Sequence, residues 1–396
     1  MGVIGQGDVV QAPTLGDGAV TLRPHRSGDV DGIVAEMADP ESRAWLIGLP
    51  PRAYTADDAR AWLTSCAAGW CSGGSWALVV QFEGRYAGQV RLVRTGPGAV
   101  SIGYDLAPWA RGRGVMSAAV RLFLTWAFTS REAAEEGALD VVHWRAIAGN
   151  WASRRVAWAC GFTIEARVRG LLEQDGVRRD AWVGSLLAGE DLGPRSPWLD
   201  VPVIDLGHLV LRPYGKGDVR RIVEACSAAS TQRWLPALPT PYTGLDAVDF
   251  IESREELHSR AEGIHWAVAD TGGLLVAAVS VMDLLGRPAR SGEIGYWTHP
   301  DARGRGVMTA ALQAVSRHCL LPGPDGGLGL ARVLVRVAAP NAASRRVAEK
   351  AGFLVAGRDR HAERLRDGTV VDFVRYDLLP EELTDPTDAD PVRSSP

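Results

Sequence analysis

One stretch of sequence is written twice in this 396-residue chain, and that duplication limits its fold more than any other feature. Arg111-Gly-Arg-Gly-Val-Met116 returns as Arg303-Gly-Arg-Gly-Val-Met308, 192 residues later. Asn150-Trp-Ala-Ser-Arg-Arg-Val-Ala157 returns as Asn341-Ala-Ala-Ser-Arg-Arg-Val-Ala348, and Gly161-Phe162 as Gly352-Phe353. Ile102-Gly-Tyr104 returns as Ile294-Gly-Tyr296, Leu22-Arg-Pro24 as Leu211-Arg-Pro213, and Trp45-Leu46 as Trp234-Leu235. Solenoid units repeat every ~20–50 residues, so a period this long means two whole domains. The register sets the expected boundaries: a flexible N-terminus over 1–18, one domain over 19–188, a linker over 189–207, a second domain over 208–380 and a disordered tail over 381–396. The linker stretch Gly189-Glu-Asp-Leu-Gly-Pro-Arg-Ser-Pro-Trp198 has the Gly, Pro and Ser content of a connector.

Composition removes several classes of function. The net charge is −4, from 43 basic and 47 acidic side chains, so no global basic field draws the chain to nucleic acid or to an anionic membrane. No apolar run reaches the ~18 residues of a membrane span. Residues Met1 to Gly18 have neither the positive flank nor the apolar block of a signal peptide. Five cysteines, an odd number without metal-like pairing, fit a reduced protein, and a cytoplasmic location is expected. No His/Cys/Asp cluster has ligand spacing, so no metal site is expected.

Each repeat reads as mixed α/β. In the second, Ile264–Ala269 and Leu274–Val281 read as strands around an Asp-Thr-Gly-Gly turn, followed by a strand at Glu293–Thr298. From Val307, the residues Met308, Leu312, Val315 and Cys319 step by one helical face, as Val115, Ala119, Leu122 and Trp126 do in the first repeat. Ala331–Val337 is a buried strand by composition. Asn341 caps a helix that Gly352 ends, and Phe353–Ala356 and Val370–Leu378 supply the last strands. His265, beside Trp266, reads as a pocket or core histidine. In both repeats Arg-Gly-Arg-Gly falls between a strand and a helix. Glycines there let successive N–H groups face one anion, the helix N-terminus adds partial positive charge, and the arginines add full charges at the rim. The geometry suits a pyrophosphate. It is neither the G-x-G-x-x-G dinucleotide pattern, since Ser117 and Thr309 replace the third glycine, nor a Walker loop.

Taken together, Leu-Arg-Pro, Ile-Gly-Tyr, Arg-Gly-Arg-Gly, Asn-x-x-Ser and Gly-Phe, in that order, make both halves resemble GNAT-superfamily N-acyltransferases, most of all the RimJ/RimL-type branch that acetylates protein N-termini. The resemblance implies two tandem α/β GNAT folds, each a mixed, mostly antiparallel twisted sheet flanked by helices. It implies acetyl-CoA as co-substrate, held by Arg111, Gly112, Arg113, Gly114, Asn150 and Ser153 in one half. In the other half Arg303, Gly304, Arg305, Gly306, Val307, Met308 and Asn341 hold it. Met116 and Met308 depart from the family's usual Gly or Ala. N-acetyl transfer needs a proton acceptor for the amine, donors for the carbonyl oxygen and a proton for the thiolate. The resemblance assigns Ser344 as acid to the thiolate and Glu363 as general base, and Glu293 lies on the strand beside the cofactor. The first half has Ser101 for Glu293 and Leu172, followed by Glu173, at the spacing of Glu363. Catalysis is therefore expected mainly in the second half. The expected acceptor is a primary amine, a protein or peptide N-terminus or a small molecule, over Glu41–Ala68 and Ser230–Ala261. A non-catalytic acyl-CoA-binding protein and a longer acyl donor are the alternatives.

Overall fold

A computed structural model describes residues 12–130, 139–284 and 290–383. The start of the expected flexible N-terminus and the tail from 384 onward lie outside these. The chain divides into two units between Arg195 and Ser196.

In the first unit the order is β1 (Leu15–Gly16), β2 (Val20–Arg23), α1 (Val30–Ala38), α2 (Pro40–Trp45), α3 (Ala56–Ser72), β3 (Ser75–Phe82), β4 (Arg85–Gly96) and β5 (Ala99–Leu106). Then come α4 (Val115–Thr129), β6 (Val141–Ile147), α5 (Trp151–Ala159), β7 (Thr163–Gln174) and β8 (Val177–Leu187). The second unit repeats this with β9 (Ile204–Asp205), β10 (Leu209–Arg212), α6 (Val219–Ser227), α7 (Ala229–Gln232), α8 (Gly244–Ser259), β11 (Ile264–Asp270), β12 (Leu275–Met282) and β13 (Ser291–Thr298). It closes with α9 (Val307–Leu320), β14 (Arg332–Ala338), α10 (Ala342–Lys350), β15 (Leu354–Arg364) and β16 (Val370–Leu378). Each unit forms one eight-stranded sheet, ordered β1-β2-β3-β4-β5-β6-β8-β7 and β9-β10-β11-β12-β13-β14-β16-β15. All neighbours are antiparallel except β5–β6 and β13–β14. This is the mixed, mostly antiparallel α/β architecture that the family resemblance implies.

The repeated motifs have structural causes. Arg23 of Leu-Arg-Pro forms a bidentate pair with Asp29 at 2.9 and 2.6 Å, both side chains buried. Asp29 Oδ2 also accepts from the Arg26 amide at 2.7 Å, so one carboxylate joins the end of β2 to the start of α1. Arg212 and Asp218 repeat the device at 2.8 Å, with Arg212 more exposed. On α9 the residues Met308, Leu312, Val315 and Cys319 are all buried in the core, which is the face the helical spacing marks. On α4 the innermost residues are Ala119, Val120, Phe123 and Leu124, while Leu122 and Trp126 are only partly buried. Met116 and Met308 both lie in the core, which explains how methionine fits where the family uses a small residue. Gly161, at φ +83°, lets the end of α5 approach the Asp191 carbonyl, where a Cβ would fall 2.2 Å from the oxygen. His265 is a core residue: it is fully buried, its ring 3.2 Å from His258, and burial pushes its pKa down to about 2.

Two features differ from the sequence reading. Strand β15 runs to Arg364, well past Ala356, because its hairpin with β16 continues through two register shifts. The connector is also not a free tether. Leu192 packs on the first core, whereas Leu199, Val201, Ile204 and Leu206 pack on the second. The Pro202 carbonyl accepts from Trp266 Nε1 at 2.9 Å.

Burial alone would raise the Asp29 carboxyl, but the bonds from Arg23 and the Arg26 amide outweigh it and hold the pKa below the usual range. A carboxyl depressed in the folded state stabilises above its unfolded pKa of ~3.9, and that stability is lost as pH falls through the folded value. Asp29→Asn should cost about 3–5 kcal/mol in urea unfolding at pH 7, because it strands a buried guanidinium. Asp218→Asn should cost only about 1.5–3 kcal/mol, and the Asp29→Asn deficit should shrink toward pH 3.

Candidate active site

The one parallel strand pair of each unit parts company midway. β5 and β6 pair from Ala99 with Val141 to Ile102 with Trp144, and β13 and β14 from Ser291 with Arg332 to Glu293 with Leu334. Beyond these points the strands continue, held only on their outer edges. β13 stays on β12 through Thr298, and β14 stays on β16 through Ala338. Each sheet therefore contains a wedge with unpaired inner edges.

At the mouth of each wedge lies the Arg-Gly-Arg-Gly loop. Gly304 and Gly306 sit at φ +74° and +78°, Gly112 and Gly114 at +70° and +74°. A Cβ on any of these four glycines would meet nothing within 4 Å, so their outer side is open. Gly114 and Gly306 are the N-caps of α4 and α9, and neither helix has a side-chain cap. The first-turn amides therefore lack intrahelical acceptors and face outward with the dipole's positive end.

The arginines divide the work differently from the rim picture. Arg303 turns back, donating to the Thr298 carbonyl at 3.2 Å, Ser230 Oγ at 2.6 Å and Thr231 Oγ1 at 2.8 Å. Arg111 does the same with the Leu106 carbonyl, Glu41, Asp39 and Ser42. These two guanidiniums tie the loop to α7 and α2 instead of offering charge to an anion. The second arginines are the peripheral ones. Arg113 pairs with Glu83, while Arg305 is exposed and forms no ion pair among the described residues.

Asn341 and Asn150 cap their helices, accepting from the amides of Ser344 at 3.2 Å and Ser153 at 3.1 Å. Ser344 Oγ lies 2.9 Å from the Tyr296 hydroxyl, which also donates to the Ser344 carbonyl at 3.2 Å. The bridge joins β13 to α10. In the first unit Tyr104 donates to the Ser153 carbonyl at 2.8 Å and accepts from Ser153 Oγ at 3.2 Å, and Trp144 Nε1 donates to that same Oγ at 3.3 Å. Burial pushes the Tyr296 phenol up to about 12, and Tyr104 is raised for the same reason, so both stay protonated donors. Neither tyrosine carried a role in the sequence reading, although Ile-Gly-Tyr was visible twice.

The carboxylates fall in distinct settings. Glu293 sits at the last paired position before the wedge opens, 2.8 Å from Arg336 Nε on β14. Glu363 is on β15 opposite Val371, not in a surface loop, and its Oε1 accepts from the Arg364 amide at 3.0 Å. Leu172 stands opposite Arg179 on the matching hairpin, and Glu173 caps the turn through the Gly176 amide at 2.6 Å. Each hairpin reaches over its helical segment. Gln174 donates to the carbonyls of Arg43, Ala44 and Leu46, while Arg366 donates to Leu238 and Thr240. Trp234 packs with Phe373, Leu365 and Val371, Tyr242 packs with Phe250, and Trp62 donates to Gln89. Among the described residues no cluster could hold a metal ion, and no helix is long and apolar enough to cross a membrane.

Comparison with known proteins agrees with this geometry. The family model described as Acetyltransferase (GNAT) domain matches twice, over residues 19–163 and 208–354. The chain belongs to this family, as a tandem pair, and is an acetyl-CoA-dependent N-acetyltransferase. It is 33% identical over 179 residues to "Putative ribosomal N-acetyltransferase YdaF" of Bacillus subtilis (strain 168), covering 43% of this chain and 88% of that protein. It is also 33% identical over 78 residues to the ribosomal-protein-serine acetyltransferase of Escherichia coli (strain K12), covering 20% of this chain and 41% of that protein. The solved structure of Mycobacterium smegmatis RimJ in complex with CoA-disulfide aligns at 23% identity and TM-score 0.41, over 44% of this chain and 88% of its own.

The two arginines of the second loop should separate experimentally. Arg305→Ala should weaken acetyl-CoA binding several-fold in calorimetry at low salt, with the difference fading at high salt as exposed charges are screened. Arg303→Ala should instead lower stability by about 1–2 kcal/mol through its lost hydrogen bonds, seen as an earlier urea midpoint.

Proposed function

We propose that the chain acetylates a primary amine, with the chemistry mainly in the second unit. The observation that carries the acetyl transfer is the pairing, at one wedge, of an open glycine-capped amide cradle with the Tyr296–Ser344 hydroxyl bridge, and the preference for the second unit rests on Glu293 and Glu363, where the first unit has Ser101 and Leu172. The amides of Gly304 to Met308 would hold the pyrophosphate of acetyl-CoA, with Arg305 adding charge and Asn341 keeping α10 in position. The unpaired edges of β13 and β14 suit the extended, amide-bearing arm of the co-substrate. Ser344, hydrogen-bonded to a protonated Tyr296, would pass a proton to the departing thiolate. Glu293, beside the wedge, and Glu363, on the overhanging hairpin, are the carboxylates available to accept the ammonium proton, directly or through water.

The acceptor class follows from the family and the covering segments. The relatives' names refer to ribosomal proteins, which favours a protein or peptide N-terminus, and a small-molecule amine is the second reading. The first unit keeps the cradle of Gly112 to Gly114 and the Tyr104–Ser153 bridge, so it retains the parts for binding acetyl-CoA. A cytoplasmic site of action fits a ribosomal acceptor.

Thiol release from acetyl-CoA over a panel of amines and N-terminal peptides tests the activity. Gly306→Asp should abolish acetyl-CoA binding at the second unit, since it aims a carboxylate at the diphosphate. Ser344→Ala and Tyr296→Phe should each lower kcat by about 10²–10³-fold with acetyl-CoA affinity little changed. Glu363→Gln should lower kcat by about 10²–10⁴-fold at neutral pH, and the loss should shrink as pH rises and free amine becomes abundant. If Glu363→Gln is silent while Glu293→Gln is not, the base is Glu293. If Ser344→Ala leaves turnover intact, the assignment of the acid fails.

A further inference from the structure

The two units diverge most on the sheet face opposite α4 and α9. In the second unit Ala225, Leu275, Ala278 and Trp297 occupy this face. In the first, the matching positions are Glu36, Tyr86, Gln89 and Asp105. Glu36 on α1 is 1% exposed and neighbours Asp105 on β5, each raising the cost of charging the other or sharing in its titration. Two neighbouring buried carboxyls do not both ionise readily, so one of the pair holds a proton more tightly than an isolated carboxyl. Tyr86 donates to Glu36 Oε2 at 2.7 Å, and Gln89 Nε2 donates to Asp105 Oδ2 at 3.3 Å. Gln89 is fixed in turn by Trp62 at 2.7 Å and His25 at 3.1 Å. Glu36 Oε1 and Asp105 Oδ1 are buried and meet no donor, and neither residue forms an ion pair among the described residues.

Burying two carboxyls without an ion-pair partner is costly, and the second unit shows that an apolar filling serves the fold. Asp105 lies three residues past the last paired position of β5, on the arm of the wedge, one residue after Tyr104. We infer that the first unit has an acceptor site of its own, in which Asp105 receives a cationic primary amine and takes its proton while Glu36 positions Asp105. This deepens the acetyltransferase reading and rests on it. One ammonium proton passes to Asp105. The freed lone pair forms the N–C bond at the thioester carbonyl, and the C–S bond breaks. A second nitrogen proton reaches the thiolate through the hydroxyls of Ser153 and Tyr104. The products are an amide, a thiol and a proton that Asp105 returns to water.

Tyr86 and Gln89 of β4 contact the pair, Arg111, Tyr54 and the α3 residue Cys66 interact with it electrostatically, and Trp62, His25 and Arg91 stand behind Gln89 and Cys66. Burial pushes Asp105 up to about 6 and raises Glu36 well above the usual carboxyl range, the latter reinforced by the Asp105 charge. The same burial lowers His25 and raises Tyr54, Tyr86 and the Cys66 thiol, the last to about 12, so the tyrosines and the thiol stay protonated and His25 stays biased toward its neutral form.

The test uses the full chain carrying Gly306→Asp, which leaves the first cradle as the working one. This variant should bind one equivalent of acetyl-CoA and release thiol with cationic amines, in a profile that rises with pH through the neutral range. Adding Asp105→Asn should lower kcat/KM by about 10²–10⁴-fold with acetyl-CoA affinity unchanged. Adding Glu36→Gln, which keeps a neutral polar side chain beside Asp105, should preserve most turnover. Glu36→Leu should move the acid limb to higher pH, because Asp105 loses a polar neighbour that favours its charged form. Thermal unfolding checks that each variant is folded. If Gly306→Asp binds acetyl-CoA but acetylates no amine, or if Asp105→Asn leaves both kcat/KM and the pH profile unchanged, the inference is overturned. If the wild-type chain binds no acetyl-CoA at all, the acetyltransferase reading fails instead, and this site falls with it.

Discussion

Both units depend on a parallel strand pair that stops pairing halfway. Backbone N–H and C=O groups that lose a ladder must find other partners or stay open to a ligand. Here the outer edges of the two arms remain fully laddered, so the wedge cannot collapse. β4 and β8 hold β5 and β6 apart, and β12 and β16 do the same for β13 and β14. α4 and α9 seal one side of the sheet with a continuous apolar stripe. Everything chemical then gathers around the gap: the amide cradle at its mouth, a Tyr–Ser bridge between one arm and the facing helix, and the carboxylates on the opposite face.

Much of this was legible because the chain carries its own comparison. The helical spacing of Met308, Leu312, Val315 and Cys319 marked a core face, and the glycines before it marked a turn open to an anion. Asn341 and Asn150 read as caps for a local reason, since their side chains bond amides three residues away. What local pattern could not supply was direction. Arg111 and Arg303 look like rim charges in sequence, and only the folded chain brings Asp39, Glu41 and Ser42, or Ser230 and Thr231, to meet them. The roles of Tyr104 and Tyr296 depend on contacts 48–49 residues away. Glu363 shows the same limit, because a charged stretch such as Arg358 to Arg366 gives no sign of a long twisted hairpin. The pair formed by Glu36 and Asp105 was within reach: aligning the repeats sets Asp105 against Trp297 and Glu36 against Ala225.

The divergence between the units is confined in a physically sensible way. The donor side is constrained by main-chain geometry, namely two left-handed glycines and a helix start, and both copies keep it. The opposite face is built from side chains on helices that only need to cover the sheet. There one copy has turned polar and the other apolar, as Gln89 and Ala278 illustrate at corresponding strand positions. Tryptophans differ in the same manner. Trp144 and Trp182 stand where the second unit has Val335 and Val374, so the first unit also fills its hydroxyl bridge from a third direction, through the Trp144 indole.

The inward turn of Arg111 has a mechanical consequence. Its guanidinium joins the donor loop to the first residues of α2, through Asp39 and Glu41 at 2.9 and 2.7 Å, and α2 follows α1, the helix that carries Glu36. A shift of the loop on filling its cradle would pull on α2 through this tie, and equilibrium linkage would make the effect two-way: whatever one ligand did to the affinity of the other would be returned in equal measure. In the second unit the corresponding arginine grips the neutral hydroxyls of Ser230 and Thr231, a looser coupling than two carboxylates provide. One chain thus contains the same loop-to-helix tie built at two stiffnesses.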